Sequence, residues 1–80
     1  MTKKEIFEKL NEIFRDVFDD ESITVTAETT AADIDDWDSL THISLLSAVE
    51  DEFGLTFDMR SVQELKNVGD MVDLIYQKLQ

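Results

Sequence analysis

Apolar residues in the first part of the chain fall at three- and four-residue steps. Ile6, Leu10, Ile13 and Val17 form one stripe, and Phe7, Phe14 and Phe18 widen it. That period belongs to a helix with one buried face, predicted from about Lys3 to Phe18. Thr2 followed by Glu5 has the spacing of a capping box at its start. The period then stops. Residues 19 to 38, DDESITVTAETTAADIDDWD, hold only a brief Thr/Val alternation at 24 to 26. A connection this long is uncommon in a compact domain and usually marks function or disorder. Because Ile23, Val25, Ile34 and Trp37 are apolar, the segment is expected to lie ordered across the core.

The helical period resumes at about Ser39 and runs to Phe53. Its predicted buried stripe is Ile43, Leu46, Val49 and Phe53, supported by Leu45, and Gly54 supplies a left-handed stop. In LTFDMRSVQEL, Asp58 is placed to cap a short helix that carries Val62 and Leu65 inward. A last helix is predicted from near Asn67, with Asp70 as a capping partner and Val68, Met71, Val72, Ile75 and Leu79 on its inner face. The expected fold is all-α, a small bundle of three main helices plus one short helix, with a long ordered loop between the first two. No repeat, low-complexity tract or linker divides the chain, so residues 1–80 are expected to form one domain.

Composition sharpens this picture. The 80 residues include no proline, no cysteine and only two glycines, which favours long helices and excludes disulfides and thiolate metal sites. The formal net charge is −12, from 19 acidic and 7 basic residues. Such a surface repels phosphate backbones and anionic membranes, so neither nucleic acid nor membrane insertion is expected. Proteins with basic patches are the better partners, because opposite charge speeds encounter. The opening MTKKEIFEKL is interrupted by charges and does not read as a secretory signal. A monomer in a reducing cytoplasm is the expected setting.

Three chemical readings compete around the segment DDWDSL. A calcium loop needs glycine sixth and glutamate twelfth. Counting from Asp33 places Asp38 and Ser44 there, and counting from Asp36 places Ser47 twelfth, so no dedicated metal site is expected. Ser39 and the sole histidine, His42, are three apart on one helical face. However, no glycine-rich elbow or oxyanion donor accompanies them, so no catalytic residue is assigned. Ser39 has an ordinary reading as a helix N-cap. Its position at a helix N-terminus also suits an attached phosphate, because free N–H groups and the positive dipole end lie there.

Asp38-Ser39-Leu40, preceded by a long loop and followed by THISLLSAVEDEFGLTF, resembles the acyl carrier proteins. The resemblance spans nearly the whole chain: helix, long loop, a DSL helix ending in EFG, a short helix, and a last helix opening NVGD. It implies that Ser39 carries a covalent 4′-phosphopantetheine arm, installed from coenzyme A with Mg²⁺ by a phosphopantetheinyl transferase. The protein would then be a non-catalytic carrier of acyl thioesters for fatty-acid, polyketide or related enzymes. It further implies partner contacts at Asp38 and Leu40, and at Glu50 and Asp51 on the outward face of the second helix. Leu46, Val49, Phe57, Val62, Leu65 and Met71 would line an acyl groove, with a packed core as the ordinary alternative for each.

Two departures matter. Thr41 and Ser44 stand where carriers of primary fatty-acid synthesis usually have acids, and Trp37 replaces a small residue. WDSLTHI is more similar to dedicated carriers of specialised acyl or polyketide pathways. Peptidyl carriers typically show paired glycines before the serine, and this chain has none, which favours acyl over aminoacyl cargo. The remaining alternative is an acidic helical adaptor with no prosthetic group.

Overall fold

In a computed structural model, residues 1–58, 60 and 65–79 are described. They contain three α-helices: α1 (Lys3–Val17), α2 (Ser39–Phe53) and α3 (Val68–Lys78). A single 3-10 turn, Ala31–Asp33, interrupts the long loop before α2. The short helix expected after Asp58, with Val62, lies outside the described residues.

The first helix starts as its sequence predicts. Thr2 Oγ1 accepts from the Glu5 N–H at 3.2 Å, and Glu5 Oε1 accepts from the Thr2 N–H at 2.9 Å. This reciprocal box satisfies two groups that a helix start otherwise leaves unpaired. Ile6, Leu10, Ile13 and Phe14 are buried along its inner face, and Phe18 is buried just beyond its end. Val17, expected in the stripe, is only half-buried. Asp19 then adopts a left-handed φ of 50°, a conformation that a short polar side chain tolerates better than a bulky one.

Helices α2 and α3 both pack on α1. The stripe of α2 differs from the predicted one. Leu45, Val49 and Phe53 are buried and Leu46 partly so, but Ile43 is 66% exposed. With 100° between successive helical residues, Leu45 and Leu46 offer two apolar stripes about 100° apart. Packing against α1 selects the stripe through Leu45 and turns Ile43 outward. The end of α2 is as expected: Gly54 sits at φ 65°, ψ 39°, and its N–H donates to the Glu50 carbonyl. On α3, Val68, Met71, Val72 and Ile75 are buried, whereas Leu79, expected inside, is exposed at the helix end.

The loop works as a brace. Val25 is buried, and its N–H donates to Asn11 Oδ1 at 2.7 Å. Arg15 Nε donates to the Ile23 carbonyl at 2.7 Å, so two residues of α1 hold the loop backbone. Loop carbonyls in turn receive the first N–H groups of α3: Val68 donates to Thr29 and Gly69 to Ala27, both at 2.9 Å. Asp70 N–H donates to Asn67 Oδ1 at 2.8 Å, and Met71 N–H to the Asn67 carbonyl at 3.3 Å. All four donors that begin α3 are thereby satisfied. Gly69 is required by this approach, because a Cβ there would lie 2.8 Å from the Ala27 oxygen.

The phase of α2 is open to direct test. Leu45→Ala is expected to cost about 2–5 kcal/mol in chemical denaturation, as for other buried leucines. Ile43→Ala should stay within about 0.5 kcal/mol of the parent, as at an ordinary surface position.

Candidate functional site

The site is built where the loop meets α2. Asp38, rather than Ser39, is the N-cap: its Oδ1 accepts from the Leu40 and Thr41 N–H groups at 2.9 and 3.0 Å. Thr41 Oγ1 completes the box by accepting from the Asp38 N–H at 2.8 Å, and it donates to the Asp36 carbonyl at the same distance. The hydroxyl at position 41, where an acid is expected in fatty-acid carriers, thus helps to fix the helix start. These N–H donors favour the ionised carboxylate, led by Thr41, and hold the Asp38 pKa below its ordinary value.

Ser39 is thereby freed from the capping role. It is exposed in the first turn of α2, and neither its hydroxyl nor its N–H has a hydrogen-bond partner among the described residues. A nucleophile with an open approach and an unpaired backbone donor beside it suits attachment of a phosphate. The same free hydroxyl fits covalent attachment of a phosphate-linked prosthetic group.

The segment before Ser39 is anchored by Trp37. Its ring meets Phe14 edge to face at 5.2 Å and lies 6.3 Å from Phe18, contacts that hold the loop end against α1. Trp37 Nε1 donates to His42 Nδ1 at 3.0 Å, with the two rings stacked 5.9 Å apart. Burial pushes the His42 pKa below its usual value. His42 is therefore tied to an indole and not to Ser39, so no triad forms. Sequence reasoning missed this pair; its only trace was that the sole Trp and the sole His bracket the DSL tripeptide.

A cleft of about 510 Å³ opens beside Ser39 between the start of α2 and the approach to α3. Its lining includes Trp37, Ser39 and His42 from the loop end and α2, and Leu65, Lys66 and Met71 from the approach to α3 and from α3 itself. Of the six residues proposed from sequence for an acyl groove, Leu65 and Met71 reach this cleft. Leu46, Val49 and Phe57 pack elsewhere on the core, with Val49 fully enclosed, and Val62 lies outside the described residues. Glu50, expected to face outward, is half-buried, and its Oε2 accepts from the Phe57 N–H at 2.7 Å. That carboxylate braces the turn after α2. Asp51 is exposed, as is Leu40 at 78%.

No cluster of three or more metal-ligating side chains is present among the described residues. Among the same residues, no helix is long and apolar enough to cross a membrane.

Comparison with known proteins decides the family. The profile described as "Phosphopantetheine attachment site" matches residues 8–75. The chain belongs to the acyl carrier proteins. An acyl carrier protein from Petrotoga mobilis is 38% identical over 79 residues, covering 99% of this chain and 93% of that one. Another, from Coprothermobacter proteolyticus, is 33% identical over 79 residues, covering 99% of this chain and 96% of its own. The solution NMR structure of a holo acyl carrier protein from Geobacter metallireducens matches with a TM-score of 0.87 and 49% identity, covering 91% of this chain and 84% of that one. The chain is thus an acyl carrier with covalent 4′-phosphopantetheine as its prosthetic group, and the reading as an adaptor without one is set aside.

Two outcomes test the local geometry. Asp38→Ala should lower the melting temperature by several degrees through loss of the cap, while Ser39→Ala should leave it unchanged. Because the Asp38 pKa is depressed in the folded state, its contribution is present above its ordinary carboxylate value and is lost as pH falls through the folded value. His42 behaves analogously in a higher range. Neutral in the fold, it contributes fully above about pH 6.5, and the contribution declines as acid protonates it. An NMR titration should give a His42 midpoint below that of a free histidine. The Trp37 indole N–H resonance should move with the same midpoint, because protonating Nδ1 breaks their hydrogen bond.

Proposed function

We propose that Ser39 is the attachment point and that this protein is itself a substrate, not a catalyst, in loading and transfer. The carrying observation is the division of labour at the start of α2: Asp38 caps the helix, leaving the Ser39 hydroxyl exposed and unpartnered among the described residues. In loading, the Ser39 oxygen attacks the pyrophosphate of coenzyme A in the active site of a phosphopantetheinyl transferase. A phosphodiester bond forms to Ser39, the bond to 3′,5′-adenosine bisphosphate breaks, and the Ser39 proton passes to a base of the transferase. Mg²⁺ held there offsets the charge on the leaving group. When attached, the arm supplies a thiol that holds the acyl group as a thioester.

The surface around Ser39 fits partners that carry basic patches. Leu40 offers an apolar contact next to the attachment point, and Asp51 lies further along α2 in a strongly acidic chain. A single exposed ion pair contributes about 0–1 kcal/mol, so these charges act mainly by steering encounter and orientation. Asp38 and Glu50 are held in internal hydrogen bonds and serve by shaping the docking helix. Leu65 and Met71 form the apolar wall of the cleft available to the arm and the proximal part of its cargo. Of the groove residues expected from sequence, these two are retained in that role.

Intact-mass measurement after incubation with coenzyme A, Mg²⁺ and a broad-specificity phosphopantetheinyl transferase tests this reading. One added phosphopantetheine is expected on the parent and none on Ser39→Ala. Addition to a folded Ser39→Ala variant, or none to the folded parent, would overturn Ser39 as the attachment point.

A further inference from the structure

The cleft beside Ser39 contains a donor that the fold does not use. Because the Trp37 indole N–H donates to His42 Nδ1 at 3.0 Å, that nitrogen is the acceptor of the neutral ring and the proton resides on Nε2. Nε2 has no hydrogen-bond partner among the described residues, and no buried side-chain nitrogen or oxygen there lacks a partner. Nε2 is therefore accessible, on a ring that lines the cleft. The stacking geometry, with rings 5.9 Å apart and 26° between their planes, sets the imidazole's orientation. Trp37 is in turn fixed by Phe14 and Phe18. Ser39 and His42 are three residues apart on α2, hence neighbours on the helix surface.

The group tethered at Ser39 has matching chemistry. Moving outward from its phosphate, phosphopantetheine presents a carbon with two methyl groups, then a hydroxyl, then an amide. These are the atoms within easiest reach of a cleft whose wall includes Ser39 itself. The lining also offers Leu65 and Met71 to the methyl groups, and among the described residues it includes one cation, Lys66, opposite in sign to the phosphodiester.

We propose that Trp37 and His42 form a positioning pair for the arm, with His42 Nε2–H donating to the hydroxyl or first amide oxygen beside the phosphate, and the paired methyl groups packing on Trp37, Leu65 and Met71. The inference rests on the reading that Ser39 carries the arm. It assigns Trp37 a purpose beyond filling space: its indole N–H fixes the tautomer that makes Nε2 a donor. The arm then leaves Ser39 in a preferred direction, along the cleft toward the start of α3, which lowers the entropy lost when a partner enzyme receives it.

The test uses the loaded protein. The parent, His42→Phe and His42→Gln are each treated with coenzyme A and transferase, and the loaded fraction of each is isolated and checked by mass. In the loaded parent, NMR should show nuclear Overhauser contacts from the paired methyl groups to the indole and imidazole ring protons. In His42→Phe, which keeps a ring but removes the donor, the arm's methyl contacts to Trp37 should be lost or strongly reduced. His42→Gln, which restores an N–H donor, should recover them. A loaded parent with no contacts to either ring, or a His42→Phe variant with contacts as strong as the parent's, would overturn the positioning role while leaving Ser39 as the attachment point. Failure of the folded parent to load at all would overturn both.

Discussion

The position at which α2 begins governs the functional end of the molecule. Asp38 accepts from Leu40 and Thr41, Thr41 accepts from Asp38, and Trp37 one residue earlier is wedged against Phe14 of the first helix and Phe18 just beyond its end. The cap sets the first turn, and the aromatic contact sets its rotation relative to α1. Each residue of a helix turns by 100°, so these two constraints determine the direction of every side chain that follows. They bring Leu45, Val49 and Phe53 into the core and leave Leu40 and Ile43 outside. They also leave Ser39 exposed and without a structural duty among the described residues.

A chain of this size has little core to spend on a 20-residue connection, and the loop is stabilised by polar bonds as much as by burial. Asn11 and Arg15 on α1 hold its backbone, and its carbonyls at Ala27 and Thr29 receive the opening N–H groups of α3. The start of α3 is thereby linked to α1 through the loop, independently of helix–helix packing. Because the cleft is bounded by the loop end, the first turns of α2 and the approach to α3, its shape depends on this bracing. Substitution of Gly69 would disturb the cleft from a distance, since the close approach to Ala27 leaves no room for a side chain.

The acidic residues serve two purposes that composition cannot separate. Some carboxylates are internal fittings: Asp38 caps α2, Glu50 holds the turn at Phe57, and Asp70 accepts from the Lys66 N–H. Others, including Asp51, face solvent and supply the negative field of the surface. Two surface pairs, Lys3–Asp73 and Lys9–Glu52, fasten α1 to α3 and α2. Both are exposed and contribute modestly.

The sequence by itself determined the three long helices, their caps at Thr2, Gly54 and Asn67, and the ordered character of the loop. These features follow from local rules: side-chain period, hydrogen-bonding reach over three residues, and the freedom of glycine at positive φ. The DSL segment in its context was likewise sufficient for the family. The face of α2 that turns inward was not legible, because Leu45 and Leu46 support two stripes and only contact with α1 chooses between them. The cap was misplaced on Ser39, since both residue types accept from the same N–H groups, and the structure gives that role to Asp38. The inward turn of Glu50 and the Trp37–His42 bond were hidden as well. They depend on distances across a turn and across a cap, which the tertiary packing sets and a linear pattern does not encode.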